Sequence, residues 1–531
     1  MARSGATTPS RRDCFAALTR CKACKKGNRA MSYAGVDIGT NGCKITVIST
    51  DGEILHHDAR SYTVAIQGDR AELDPHAVWE AFCDLMRQAT SQTPHDPITA
   101  IAFSILGEAV TPVDRQGQAL DQTLISMDYR GKKHSDLIAD TLGKAAIYRQ
   151  TGQPCHPMYP LSKLLWWQEH APDVFAQTWK FLCWEDFLIL KLCGTPVMSH
   201  SLASRTLCFD IRERAWSASI LDAFGLEDDR LASLVPSGTP VGEVSASMCE
   251  TLGLPAKTIV VAGGWDQACA ALGAGIIAEH LFLESLGTTI CVGMCSEQPL
   301  LSDALLQGGY QTTCFVKEGS YFLNGGTLNG GILLKWFKEQ VKHDLDEKLT
   351  AEGRDFYAQI IESLDQHPSD LYFIPHFAGA GTPDFHADSA GGFLNLRYEH
   401  TDRDMLQAVI EALCFEVRKN LDFLGQQLAR EFAEVRLVGG GSRSPYIGRL
   451  TATILQKGIT AFDFYDVASF GAALLAFAGV QGWPQTLMVL EAFEQQGRTY
   501  AADDIDFDPK YRNYLLLSEE LRTLLLNIAQ D

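Results

Sequence analysis

The sequence holds no charge-free apolar run of about 18 residues, the length a membrane-spanning helix needs. It opens without the apolar core of a secretory signal. There is no Walker loop, the Gly-rich turn closed by Gly-Lys-Ser/Thr, and no helix-turn-helix pattern. These absences argue against a membrane partner, a secreted product, P-loop nucleotide chemistry and dedicated DNA binding. A net charge of −20 argues further against a nucleic-acid partner. Cysteines such as Cys183, Cys208 and Cys291 sit scattered in apolar surroundings, as free thiols do in a reducing compartment. A cytoplasmic protein is expected.

Acidic residues are nearly missing from the first thirty positions. Arg3, Arg11, Arg12, Arg20, Lys22, Lys25, Lys26 and Arg29 face one acid, Asp13. Met31 stands directly before the first strand-like run, so residues 1–30 read as a disordered or spurious basic extension, with a transit peptide as the alternative. Cys14, Cys21 and Cys24 lack a fourth ligand nearby, and zinc is not expected.

What is present is an α/β pattern. At 531 residues and 46% hydrophobic content the chain exceeds one core, so two or more domains are expected. "ITAIAFSIL" (Ile98 to Leu106) and "KTIVVAGG" (Lys257 to Gly264) read as strands. "LSKLLWWQEHAPDVFAQ" (Leu161 to Gln177) and the small-residue run "QACAALGAGII" read as helices. "AGVDIGTNGCKITVIS" (Ala34 to Ser49) is a strand, a turn and a strand, and "LFLESLGTTICVGM" (Leu281 to Met294) repeats that theme. A third Gly-rich turn lies in "VRLVGGGSRSPYIGRL" (Val435 to Leu450). The duplication predicts two similar domains, 31–279 and 280–531, sharing an extended interface.

Backbone N–H groups of Gly-rich turns bind phosphate oxygens, and Thr and Asn side chains add donors. Two such hairpins and a third Gly cluster together suggest a phosphate clamp. In "GGWDQ", Asp266 is open to two readings: a helix N-cap, or a functional carboxylate at the C-terminal end of a strand.

From Met31 onward the sequence resembles the FGGY carbohydrate kinases of the sugar kinase/Hsp70/actin superfamily. "MYPLSKLLWWQEH" (Met158 to His170) resembles the first family signature, with Lys163 and Trp166 in place and Trp167 departing from the usual aliphatic residue. "GGFLNLRYEHTDRDMLQAVIEAL" (Gly391 to Leu413) resembles the second, with Asp404, Ala408, Glu411 and Ala412 in register and Asn395 in place of the usual Gly. "PHFAGAGTP" (Pro375 to Pro383) and "VGGGSRSP" (Val438 to Pro445) follow in order.

The resemblance implies two ribonuclease H-like (actin-like ATPase) domains with a cleft between them. It implies transfer of a phosphoryl group from ATP, with Mg2+, to a hydroxyl of a small sugar or polyol. Asp37, Gly39, Thr40 and Asn41 would form the first phosphate hairpin, with Asp37 near Mg2+ through water. Lys44 matches a basic residue reaching the transferred phosphate. Gly287, Thr288 and Thr289 would form the second hairpin. Gly331 and Lys335 match a segment lining the nucleotide, and Gly440, Gly441 and Ser442 one lying against adenosine. Asp266 matches the catalytic base.

For the sugar, Glu108, Asp128, Trp265 and Gln267 are the candidates. Xylulose kinases usually carry Met-His and glycerol kinases Arg-Glu where this chain has Gly107-Glu108, so Glu108 matches half of the second pair. Glu108 could instead be a structural partner of Arg130 or Lys163. Asp128 and Arg130 remain from the family's Trp-Asn-Asp-x-Arg block. A sugar acid would call for an extra Arg in the pocket, and none is identified from sequence. Family members are often dimers or tetramers, so a homo-oligomer is compatible with the resemblance. The alternative function is a catalytically silent sugar- and ATP-binding regulator of the same fold.

Overall fold

A computed structural model describes residues 31–462, 464 and 466–530. The basic extension and its cysteines, Cys14, Cys21 and Cys24, lie outside the described residues.

The first sheet is built from β1 (Ser32–Ile38), β2 (Gly42–Ser49), β3 (Ile54–Ser61), β4 (Ile98–Ile105), β5 (Pro240–Glu243) and β6 (Ile259–Trp265), in the spatial order β5-β6-β4-β1-β2-β3. β1 is apolar on both faces because helices cover it, and it pairs antiparallel with β2 and parallel with β4. β6 lies parallel on the far side of β4. The second sheet contains β7 (Leu281–Leu286), β8 (Ile290–Ser296), β9 (Gln311–Cys314), β10 (Tyr321–Thr327), β11 (Glu434–Val438), β12 (Gly458–Ala461) and β13 (Arg498–Tyr500), in the order β9-β10-β8-β7-β11-β12-β13. β7 pairs antiparallel with β8 and parallel with β11, which pairs parallel with β12. Each sheet thus carries one five-stranded core: a hairpin extended by an antiparallel strand on one side and by two parallel strands on the other. The duplication expected from the two hairpin sequences is real, and the fold is the expected pair of ribonuclease H-like domains.

The helix expected over Leu161 to Gln177 is two helices, α1 (Pro160–His170) and α2 (Pro172–Gln177). Pro172 cannot continue the first helix and instead opens the second. The small-residue run forms α3 (Asp266–Gly273), and the second signature forms the start of α4 (Asp402–Leu428). Asn395 adopts φ 67°, a left-handed conformation that Gly takes freely and Asn tolerates, which explains its exchange for the family's Gly.

α3 crosses α5 (Val467–Gln481) with no space between backbones. A Cβ added at Gly471 would lie 1.9 Å from the Cys269 carbonyl oxygen, and one at Gly273 would lie 2.1 Å from that of Val467. Gly35 on β1 is equally close to Ser469 of α5. A helix set between two strands of the second sheet, β12 and β13, therefore packs on the first, across the linear division at 279/280. One apolar cluster joins Tyr33, Val261 and Trp265 to Leu283, Phe322 and Phe470, the extended interface expected from sequence. All twelve cysteines among the described residues are free. No helix among the described residues is long and apolar enough to cross a membrane.

Candidate active site

Parallel neighbours end at one edge of their sheet, and loops beyond those ends build sites in open α/β folds. In the first sheet Asp37 is the next-to-last residue of β1, β4 leads into Gly107-Glu108, and β6 leads into Asp266. In the second, β7 leads into Gly287, β11 into Gly439–Ser442, and β12 into Asp466.

The first hairpin turns through Gly39, Thr40, Asn41 and Gly42, closed by Gly39 N–H donating to the Gly42 carbonyl at 2.9 Å. Asn41 is exposed and Thr40 half-buried, so both side chains are available to a ligand. In the second, Gly287 N–H donates to the Thr289 carbonyl at 3.0 Å, and Thr288 and Thr289 are exposed. Gly331 N–H donates to the Gly287 carbonyl at 2.8 Å and Ile332 N–H to that of Thr288 at 3.1 Å, tying the next helix to this turn. The third turn packs against the same place. Gly439 has φ 84°, and a Cβ there would lie 2.6 Å from the Leu286 carbonyl oxygen. A Cβ at Gly441 would strike the Leu286 side chain at 2.2 Å, whereas one at Gly440 would meet nothing within 4 Å. Gly440 is the open face of the turn. Ser442 is buried, its hydroxyl donating to the Gly439 carbonyl at 2.8 Å, so it shapes the turn from inside. Gly287, Thr288, Thr289, Gly331, Gly440 and Gly441 thus converge. The Lys335 side chain is mostly exposed and lies 3.8 Å from Glu339, four residues on in sequence.

Asp37 accepts a hydrogen bond from the Ser104 hydroxyl at 2.6 Å. Burial raises its pKa, and Ser104 and Lys44 only partly offset this. Lys44 forms an ion pair with Asp466, which His57 also contacts at 2.9 Å. Burial works against the Asp466 charge, but the hydrogen bonds from His57 and Lys44 outweigh it and hold that carboxyl below its usual range. Asp466 and His57 were not foreseen, although an Asp directly before an apolar helix is a readable signal.

Asp266 is the first residue of α3, and Trp265 is the N-cap. Asp266 Oδ1 accepts the Gln267 N–H at 2.7 Å. Oδ2 takes no hydrogen bond from the described residues and is not sealed from solvent. Burial, then the negative charges of Asp37 and Glu108, push the Asp266 pKa up to about 8. Cys291, at the start of the second hairpin's outgoing strand, also feels the Asp266 charge, so elements from both sheets converge on this carboxylate. Gln267 Oε1 is buried without a donor.

Glu108 is 5% exposed and has φ 68°. Its carbonyl accepts from Lys163 Nζ at 2.6 Å, and Lys163 also donates to the Ile125 carbonyl at 2.7 Å. Burial drives the Lys163 pKa down to about 7. The Glu108 carboxylate pairs with neither Arg130 nor Lys163. Its partner is Arg205, whose Nε donates to Oε1 at 2.6 Å. The Arg205 guanidinium lies 4.2 Å from the centre of the Trp265 ring. Trp265 is itself 5% exposed, so in this conformation the cation takes the ring face considered for a sugar. Arg205 was missed in the sequence. The signal was a lone full charge within "SLASRTLCF".

Asp128 departs from expectation. It is fully buried, Oδ2 accepts from Ala71 N–H at 2.9 Å, and Arg130 donates to both oxygens. The carboxylate has no face left for a ligand, and Asp128 holds its loop instead of lining the cleft.

Comparison with known proteins places the chain. The model of the FGGY family of carbohydrate kinases, N-terminal domain, matches residues 32–273, and that of the C-terminal domain matches 283–480. A xylulose kinase of Staphylococcus xylosus is 26% identical over 85% of this chain and 92% of its own length. A gluconokinase of Bacillus subtilis (strain 168) is 24% identical over 93% and 96%. The solved structure of a xylulose kinase from Rhodospirillum rubrum shares the fold with TM-score 0.81 at 20% identity, covering 93% of this chain and 99% of that one. With both domain models matched in order over most of its length, the chain belongs to the FGGY family of carbohydrate kinases, which phosphorylate sugars with ATP.

Proposed function

We propose that this protein transfers the γ-phosphoryl group of ATP to a hydroxyl of a small sugar or polyol, with Asp266 as general base. The carrying observation is the Asp266 carboxylate: Oδ2 unpartnered, raised proton affinity, at the meeting point of the two hairpin strands and the Glu108 loop.

Asp266 Oδ2 takes the proton of the attacking hydroxyl as that oxygen bonds to the γ-phosphorus. The bond from phosphorus to the β,γ-bridging oxygen breaks, and ADP leaves. The transition state spreads negative charge over the phosphoryl oxygens, so most of the catalysis is positioning and charge stabilisation. Thr40, Asn41, Thr288 and Thr289, exposed on two turns, are suited to donate to phosphate oxygens. The close approach of Gly439 and Gly441 to Leu286, with Gly440 open, leaves a flat backbone surface for adenosine. Gly331 holds the second turn in shape.

The donor set also fits Mg2+. Asp37 is a partly buried carboxylate whose charge is only partly compensated, and hard oxygen ligands are what Mg2+ takes. Bound there, Mg2+ supplies positive charge to the phosphates. Lys44 is held beside Asp37 by Asp466, opposite it in the β1–β2 pairing, and orients toward the same charge.

Glu108 and Gln267 are the sugar contacts this reading retains, with Trp265 as the wall behind Arg205. The free thiols support a reducing, cytoplasmic setting.

The test is an ATP-consumption screen of the full chain against pentuloses, hexuloses, polyols and sugar acids. At least one should stimulate ADP release well above the water background. No stimulation by any of them would contradict the proposal.

A further inference from the structure

The relatives of this chain include kinases named for a neutral ketose and for a sugar acid, so the fold leaves the charge class of the substrate open. The pocket does not. Arg205 is a cation beside the sugar candidates, and four of its five N–H donors are engaged. Nε and Nη2 converge on Glu108 Oε1 at 2.6 and 2.5 Å. Nη1 donates to Gln153 Oε1 at 2.7 Å and to Gln311 Oε1, on β9 of the second sheet, at 2.6 Å. Arg205 and Glu108 are both almost wholly buried, so this charge pair is neutral as a unit.

Gly107 is what admits it. A Cβ at Gly107 would lie 2.9 Å from Trp265 Nε1 and 3.3 Å from Arg205 Nε, so a side chain there would crowd the Trp265 ring on which the guanidinium rests. What is left unpartnered there is acceptor: Glu108 Oε2 and Asp266 Oδ2, with Gln267 Oε1 buried behind them without a donor. Hydroxyls can donate to both carboxylate oxygens. A carboxylate can donate to neither, and it would enter beside Asp37, Glu108 and Asp266, where the Arg205 charge is already met by Glu108. A like charge placed against desolvated carboxylates is strongly disfavoured.

Resting on the kinase reading above, we infer that the substrate is an uncharged ketose or polyol, and that Glu108, by neutralising Arg205, is the residue that excludes sugar acids. Arg205 is a specificity-determining residue held in reserve by its partner, not an anion site. Specificity of this kind is built by an unfavourable interaction with the wrong ligand as much as by contacts to the right one.

The experiment uses the full chain and series matched in carbon skeleton: D-xylulose, xylitol and D-xylonate, and D-fructose, sorbitol and D-gluconate. Sugar-dependent ADP release is measured for each with the unmodified protein, Glu108→Gln and the double variant Glu108→Gln/Arg205→Gln. The unmodified protein should favour the best uncharged member over either sugar acid by about 100-fold or more in kcat/KM, a ratio worth about 3 kcal/mol. Glu108→Gln should lower turnover of the uncharged substrate and narrow that ratio at least tenfold, on the order of 1.4 kcal/mol. The double variant should lose the gain. A sugar acid turned over by the unmodified protein as well as any uncharged member overturns the inference while leaving the kinase reading intact. So does a ratio unchanged by Glu108→Gln in a variant that still turns over the uncharged substrate. Should Glu108→Gln fold poorly, the unmodified protein's ratio alone decides. ADP release stimulated by neither class contradicts the kinase reading itself, and the inference falls with it.

Discussion

Glu108 and Arg205, 97 residues apart in sequence, form a buried ion pair whose cation lies against the Trp265 ring. The pair joins the loop after β4 to a segment that no local pattern connects with it, and through Gln311 it also reaches the second sheet. Breaking one side leaves the other as an uncompensated buried charge, which is costly. Arg205→Leu should therefore destabilise the protein by about 3 kcal/mol or more, and Glu108→Gln, which keeps the shape and an acceptor oxygen, by less. Urea unfolding of both variants checks the order.

Lys163 predicts a positioning effect. Its ammonium clips the Glu108 and Ile125 carbonyls together. Lys163→Met leaves the Glu108 carbonyl unsatisfied, at about 1–3 kcal/mol, while the Ile125 carbonyl keeps the Asp128 N–H at 3.0 Å. The sugar KM should rise far more than the ATP KM. Equal changes in both would mean that the clip does not serve the Glu108 loop.

Asp266 predicts a pH dependence of stability. Its folded pKa of about 8 lies above its ordinary 3.8. Between those values the folded state keeps a proton that the unfolded state has lost, so this group makes the protein less stable as pH rises through that window. Asp266→Asn removes the dependence. The Tm of Asp266→Asn minus that of the unmodified protein should grow from pH 5 to pH 9. In an Asp37→Asn background, which removes one of the charges raising the Asp266 pKa, the growth should be complete at lower pH.

The crossing of α3 and α5 predicts a steric cost. Gly471→Ala places a methyl against the Cys269 carbonyl, where only backbone movement can make room. Overpacking of this kind costs about 1–3 kcal/mol. Gly440→Ala, in open space, should cost little by comparison. Thermal unfolding of the two variants in parallel checks the contrast.

Much of this protein was legible in the sequence where function is carried by local pattern. The two hairpins, the Gly turn after β11 and Asp266 at a strand end are each contiguous, and each lies where the pattern put it. Asn395 was legible as a departure, and its left-handed backbone supplies the reason. The sugar side was harder because its contacts are made across long sequence separations. Asp128 looked like an acceptor from its motif, but a carboxylate two residues before an Arg can close on that Arg and vanish from the surface. Arg205 and Asp466 carried only weak local signals; Arg205 meets Glu108 97 residues away in sequence, and Asp466 meets Lys44 and His57 only once α5 is folded against the first domain. Charge pairing across a tertiary interface leaves little local trace.

The central claim is that Asp266 is the base for phosphoryl transfer to a sugar hydroxyl. Its most direct measurement is 31P NMR of ATP, Mg2+ and the best substrate from the screen, with the unmodified protein and with Asp266→Asn. The unmodified protein should convert ATP to ADP with a matching sugar phosphate ester resonance. Asp266→Asn should form that ester about 100- to 10,000-fold more slowly, the range expected for loss of a general base. Ester formation at an undiminished rate in Asp266→Asn would contradict the account.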